Sequence, residues 1–178
     1  MKCFSYFIPL FFFVGILLVG CGPTRIYIVR HAEKVLDGSK NPRLTSEGEE
    51  RAQTLASVLR NRKIERFYAT ETARAEATVK PLADLMKKPV LYYSNDTMPQ
   101  FIIKILDSAV NTLIVGHSNT ILKILFDMGL NPTVKEIRDN EYDNIFIVSL
   151  RNQHGRVGYR MTLDETHYGK PSTKTQEK

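Results

Sequence analysis

Between Arg25 and Leu163 the chain alternates short, β-branched apolar runs with segments of helical spacing, and this alternation restricts the fold more than any other feature. Ile26, Tyr27, Ile28 and Val29 form an unbroken apolar run, the pattern of a strand buried on both faces. Turn residues follow at Asp37, Gly38, Ser39, Asn41 and Pro42. Ser46 with Glu49 makes a capping-box signature, and Ala52, Leu55, Ala56 and Leu59 recur at helical spacing behind it, which predicts a helix from Ser46 to Arg62. The pattern then repeats. Arg66 to Thr70 reads as a strand, Thr72 to Met86 as a helix that Pro81 is expected to bend or restart, and Val90 to Tyr93 as a third strand. Phe101, Ile102, Ile105 and Leu106 mark another amphipathic helix, before a strand at Thr112 to Val115 and a helix at Asn119 to Met128. Ile145 to Leu150 and Val157 to Leu163 read as two closing strands. Strands separated by covering helices imply an α/β, three-layer sandwich with a mostly parallel central sheet.

The first twenty residues stand apart. Lys2 is their only charge, and the apolar run from Phe4 to Val19 is interrupted by Pro9 and Gly15, which suits a signal segment better than a membrane span. Leu18-Val19-Gly20-Cys21 resembles the bacterial lipobox, so Cys21 is the candidate for acylation, with residues 1–20 as a lipoprotein signal peptide. An uncleaved signal anchor is the plainer alternative. The expected location is the bacterial cell envelope, on the extracytoplasmic side, with the lipid bilayer as a partner through acylated Cys21. Cys3 leaves with the signal, so no thiol pair remains for a disulfide, a thiolate metal site or thiol catalysis. Residues 21–168 then form one domain, and residues 169–178 are expected to be a disordered tail, since Lys170 to Lys178 carries no apolar residue. Removing Lys2 from the net charge of +6 leaves +5, an excess that attracts anionic partners. Basic residues are interspersed with acids, as in Arg60, Arg62, Lys63 and Arg66 around Glu65, so no nucleic-acid partner is expected.

In open parallel sheets, ligands bind beyond the carboxyl ends of the strands where strand order reverses. The first strand runs directly into Arg30-His31, and the fourth runs through Gly116 into His117. Arg74 lies at the second strand-to-helix junction. An unprotonated imidazole can attack phosphorus in line, while arginine forks bind the non-bridging oxygens bidentately. Singly, each of these residues is explained as a cap or packing residue at a strand end; together at a switch point they are a functional signature.

At these residues the chain resembles the histidine phosphatase superfamily, which includes the phosphoglycerate mutases and the small phosphohistidine phosphatases. The matching blocks are Ile28-Val29-Arg30-His31-Ala32-Glu33, Leu44-Thr45-Ser46-Glu47-Gly48, Tyr68 to Thr78, and Val115-Gly116-His117-Ser118-Asn119-Thr120. The resemblance implies a phosphoglycerate mutase-like fold in which His31 becomes the phosphohistidine, Arg30 and Arg74 bind the phosphoryl group, and His117 is the second pocket histidine. It implies no cofactor and no metal. Ser118 is a further candidate for substrate binding, or with Asn119 a cap for the helix that follows.

The proton donor is the weakest element. No acid-bearing insertion follows the third strand, which argues against a mutase, and the candidates for general acid are Asp96, Glu33 and Glu141, each equally readable as a surface carboxylate. His154 and His167 lie outside the motifs and are expected to face water. The reading is therefore a metal-independent phosphatase that hydrolyses small phosphate monoesters through phospho-His31. The alternatives are a catalytically weak phosphate-binding lipoprotein and a phosphohistidine phosphatase acting on a protein. Substrate choice is expected to lie in the loops Glu33 to Arg43 and Tyr93 to Met98.

Overall fold

A computed structural model of the chain describes residues 22–152 and 158–172, and statements of absence below refer to these residues. The apolar run Phe4 to Val19, Cys21, His154 and residues 173–178 lie outside them. The elements are β1 (Thr24–Arg30), α1 (Ser46–Leu59), β2 (Arg66–Thr70), α2 (Ala73–Leu85), β3 (Val90–Tyr93), α3 (Met98–Ser108), β4 (Thr112–Gly116), α4 (Ser118–Asp127), β5 (Asn144–Asn152) and β6 (Tyr159–His167). They build one six-stranded sheet in the order β3-β2-β4-β1-β5-β6. The first four strands in chain order run parallel, and β5 and β6 add antiparallel to the β1 edge. No described helix is long and apolar enough to cross a membrane.

Alternation along β1 divides the core. Ile26 and Ile28 pack with Tyr68, Ile114 and Phe146 under α3 and α4, whereas Tyr27 and Val29 pack with Phe67, Leu113 and Val115 under α1 and α2. Both faces of the sheet are thereby covered, which is why β1 reads as a continuous apolar run.

Several boundaries differ from the sequence expectation for identifiable reasons. Helix α1 ends at Leu59 and not Arg62, because no further apolar residue follows until Ile64 and Lys63 takes a left-handed φ of 50°. Its cap is Thr45, one residue before the expected Ser46, with the Thr45 hydroxyl accepting from the Gly48 amide at 3.1 Å. Helix α2 does not restart at Pro81: Val79, Leu82 and Ala83 bury one continuous face on either side of it. Strand β6 runs to His167, well past Leu163, because an edge strand can alternate polar residues outward while its backbone completes the ladder to β5. Within the expected tail, Ser172 is held, hydrogen-bonding Asp143 through both its amide, at 3.2 Å, and its hydroxyl, at 2.7 Å.

Gly48 and Gly116 permit two close approaches. A Cβ on Gly48 would strike the Glu33 carbonyl, and one on Gly116 would strike the Tyr93 hydroxyl, with Ile121 and Thr120 close behind. Tyr93 is itself pinned by stacking on Phe101 at a centroid distance of 4.3 Å. Gly116→Ala should therefore cost about 1–3 kcal/mol by overpacking, read as a lower urea midpoint with an unchanged slope; an unaltered midpoint would show that Tyr93 moves aside freely.

Candidate active site

Register brings the two histidines together. Strands β1 and β4 are hydrogen-bonded neighbours with Arg30 opposite Gly116, so the next residues, His31 and His117, leave the sheet side by side. The His31 amide donates to the Gly116 carbonyl at 2.8 Å, and the two rings meet edge to face with centroids 5.3 Å apart.

The hydrogen bonds assign opposite tautomers to these rings. His31 Nδ1 lies 2.8 Å from the Ala32 carbonyl, which can only accept, so Nδ1 carries the proton and Nε2 keeps its lone pair. His117 Nδ1 lies 3.4 Å from Arg74 Nη2, which can only donate, so Nδ1 accepts there and Nε2–H faces the Thr70 hydroxyl at 3.2 Å. Both rings are neutral at physiological pH. Burial, then the positive charges of Arg30 and Arg74, hold His31 down to about 3, and burial with Arg74 and Arg30 holds His117 to about 4.

The guanidinium groups are positioned differently from one another. Arg30 is 3 % exposed, and its Nη1 donates to the carbonyls of Arg138 at 2.6 Å and Glu141 at 3.1 Å. Its Cζ sits 4.5 Å over the Tyr142 ring, and its one acidic contact, Asp139 at 3.5 Å, is almost fully exposed. The expected free fork is thus partly engaged by the 138–142 loop. What remains is Arg30 Nε, buried with no hydrogen-bond partner, as are Nε and Nη1 of Arg74. Burial lowers the pKa of both arginines, and for Arg74 the repulsion of Arg30 adds to it. Buried donors without acceptors, on two like charges, call for an anion.

Beside His117 opens a cleft of about 610 Å³ lined by Thr70, Glu71 and the segment from Tyr92 to Thr97. Asp96 belongs to this lining, at the exposed rim. Glu33 does not serve as an acid: Arg51 clamps both its oxygens, at 2.6 to 2.9 Å, in a largely buried ion pair. The Glu141 carboxylate accepts from the Arg138 amide at 3.1 Å, stabilising the loop that grips Arg30. Ser118 lines a separate cleft with Lys135 and Asp139, and the N-cap of α4 is His117, not Ser118 or Asn119. His167 is exposed as expected, 3.4 Å from Asp143. No set of three or more His, Cys, Asp or Glu side chains able to hold a metal ion occurs among the described residues.

Thr70 and Tyr142 were not anticipated. Thr70 ends β2, beside β4, so the strand-end rule applied to β2 as well would have found it. Tyr142, whose ring lies 6.1 Å from that of His31, sits in an aperiodic loop that carries no such signal.

A model of the histidine phosphatase superfamily, branch 1, matches residues 26–95, which include Arg30, His31 and Arg74. Over these residues the chain is similar to the histidine phosphatase superfamily. No curated protein matches it in sequence. Among solved structures, a phosphohistidine phosphatase SixA from Nakamurella multipartitia is 16 % identical with a TM-score of 0.56, over 83 % of this chain and 97 % of that one. SixA complexed with tungstate is 18 % identical with a TM-score of 0.59, over 81 % and 97 %. A mycobacterial glucosyl-3-phosphoglycerate phosphatase with inorganic phosphate is 13 % identical with a TM-score of 0.59, over 79 % and 95 %. These likenesses establish the phosphoglycerate mutase-like fold.

The neutral histidines carry a stability signature. Both have folded pKa values depressed below the ordinary 6.5, so below that pH the unfolded chain binds protons that the folded protein refuses. Stability should fall as pH drops from 6.5 toward about 4 for His117 and about 3 for His31, by at most about 1.4 kcal/mol per pH unit for each ring, and should be unaffected by them above pH 7. Urea unfolding at pH 7 and pH 5 measures this, and His117→Asn should reduce the slope. An identical slope in that variant would contradict the assignment of His117 as a neutral buried ring.

Proposed function

We propose that this protein is a phosphatase that hydrolyses phosphate monoesters through a phosphohistidine on His31. The observation that carries the reading is a neutral imidazole with its Nε2 lone pair unclaimed by any described residue, beside three unpartnered guanidinium donors. In the first step His31 Nε2 attacks phosphorus, the P–N bond forms and the P–O ester bond breaks, with the electron pair leaving on the ester oxygen. The donors on Arg30 and Arg74 bind the non-bridging oxygens, where charge develops. The proton that His31 retains on Nδ1 stays hydrogen-bonded to the Ala32 carbonyl and stabilises the ring as it gains positive character. Water then attacks phosphorus, the P–N bond breaks, and inorganic phosphate leaves with His31 neutral again. His117 contributes a neutral ring braced between Thr70 and Arg74, available to a phosphoryl oxygen without adding a titrating charge.

The same reading holds the protein at the extracytoplasmic face of the cell envelope through acylated Cys21, with a small phosphorylated molecule as substrate. His31→Ala should lower turnover of an aryl phosphate by at least about 10³-fold while leaving the unfolding midpoint at pH 7.5 within about 1 kcal/mol of wild type. Undiminished turnover in that variant would overturn the phosphohistidine mechanism.

One observation favours a second substrate class. With Glu33 committed to Arg51, the acids left near the cleft are Asp96 and Glu71, both exposed on its rim, a poor position for a buried general acid. A phosphoramidate leaves as an amine that is protonated by solvent, so a phosphohistidine side chain would need little help from the enzyme; two of the structural relatives named above are phosphohistidine phosphatases. Asp96→Asn and Glu71→Gln, singly and together, should decide between the two. One of them should slow an alkyl phosphate by about 10- to 100-fold if that carboxyl protonates the leaving oxygen, and the double variant should leave both alkyl phosphate and phosphohistidine rates unchanged if leaving-group protonation is left to solvent.

A further inference from the structure

The site uses few of the cations in the chain, and others collect at the opposite end of the sheet. Sheet register defines that end: Thr24 pairs with Leu150, Arg66 pairs with Thr112, and Arg151 pairs with Arg160 across the β5–β6 edge. Arg25, Arg66, Arg151 and Arg160 therefore lie where the parallel strands begin. The loop after α1 adds Arg62 and Lys63 to the same end. Asn111 fixes that loop, its Oδ1 accepting from the Arg25 amide and its Nδ2 donating to the Arg62 carbonyl, both at 2.8 Å.

These cations are not used inside the fold. Five of the six are exposed and Arg25 is half-buried, and among the described residues none of them forms an ion pair. Glu65 is the acid interleaved with them. Arg151 and Arg160 stand directly opposite one another, an arrangement that destabilises a ladder unless an external anion offsets it.

A second, independent observation says what that anion is. Gly22, the first described residue, is exposed and lines a cleft of about 460 Å³ together with Arg25, Arg62 and Lys63. Cys21 and the apolar run Phe4 to Val19 immediately precede it in sequence. Cys21 and Thr24 are three residues apart, at most about 11 Å of extended chain, so whatever holds Cys21 lies about one Debye length from the start of β1, beside Arg25. His31 and His117 emerge at the far end of β1, about 23 Å away for its seven residues.

We propose that this basic end, formed by Arg25, Arg62, Lys63, Arg66, Arg151 and Arg160, docks on the anionic headgroups of the bilayer that holds Cys21, so that the phosphatase pocket opens away from the membrane. The proposal rests on the membrane-anchored reading above and is independent of the catalytic one. An anchor at one residue leaves the domain free to swivel; cations near an anionic surface add a second point of attachment, each worth roughly fivefold in association at low salt. Orientation is thereby fixed without any new apolar contact.

The test uses the full acylated chain, its acyl groups verified by mass, reconstituted in vesicles of phosphatidylcholine alone or with about one-third phosphatidylglycerol. Amide hydrogen exchange is read at Asn61 to Arg66 and, as the control, in the loop Glu33 to Arg43 at the pocket end. Exchange at 61–66 should slow at least fivefold in anionic vesicles relative to neutral ones, revert in 0.5 M salt, and revert in the exposed-surface variant Arg62→Glu/Lys63→Glu/Arg66→Glu, while the pocket loop stays unchanged. Thermal unfolding of the variant verifies that it remains folded, and exchange in Arg151→Glu/Arg160→Glu gives the same reading from the other side of the face. Equal exchange in both vesicle types overturns the proposal, as does a chain that carries no acyl group. Slowed exchange with duplex DNA but not with anionic vesicles would reassign the face to nucleic acid.

Discussion

Two buried guanidinium groups that lack a buried internal counter-anion set the terms for everything around them. Arg30 is surrounded by carbonyl oxygens, an aromatic face and one exposed carboxylate, and Arg74 leans on an imidazole and is repelled by Arg30. Burial first, and this positive field second, keep His31 and His117 unprotonated. A carboxylate placed among them would satisfy the arginines, raise the histidine pKa values and remove the lone pair a nucleophile needs. Glu33, two residues from His31, is such a carboxylate, and Arg51 takes it away from the pocket through a bidentate contact and a further bond. The ion pair between Glu33 and Arg51 keeps the pocket of Arg30 and Arg74 without an anion of its own.

The framework that holds this arrangement is backbone geometry more than side-chain packing. Pairing of β1 with β4 puts the histidines in adjacent positions, and Gly116 lets Tyr93 close over the end of β4. Thr78 then joins two parts of the site: its hydroxyl accepts from the Ala32 amide at 2.9 Å and donates to the Arg74 carbonyl at 2.7 Å. Ala32, the residue after His31, and the first turn of α2 are tied by one atom. His31 and Arg74 are therefore linked by two hydrogen bonds to one hydroxyl and short stretches of chain on either side.

The parts of this arrangement that follow from local periodicity were legible in the sequence. Both faces of β1 are buried, so Ile26 to Val29 read as a core strand, and a strand-end rule then pointed to His31, His117 and Arg74. What was not legible depends on tertiary partners. Pro81 lies in a helix whose buried face runs past it, so packing overrides a local breaker. Glu33 looked available as an acid because the sequence does not show that Arg51, 18 residues later, faces it. Tyr142 and the loop carbonyls that grip Arg30 lie more than 100 residues from it in sequence, in a segment with no repeating pattern. Side-chain positions inferred from sequence are reliable where a strand fixes direction and fragile where a loop does.

That loop is itself held by the end of the chain, which links Arg30 to residues no motif includes. The Tyr142 amide donates to Ser172 Oγ at 2.8 Å, and Ser172 in turn donates twice to Asp143. Burial pushes Asp143 up, but the Ser172 donors and His167 hold it below the ordinary carboxylate range, so it stays charged and keeps both bonds. Next to it the Tyr168 amide donates to the Asp143 carbonyl at 2.9 Å, and the Tyr168 carbonyl accepts from Arg51 at 3.2 Å. A continuous path thus runs from Glu33 through Arg51, Tyr168, Asp143 and Ser172 to Tyr142 and Arg30. The residues that remove an anion from the pocket and those that aim a cation into it belong to one network, so the electrostatics of the site are set by the fold's last strand and the residues just beyond it as much as by the strand ends from which the histidines project.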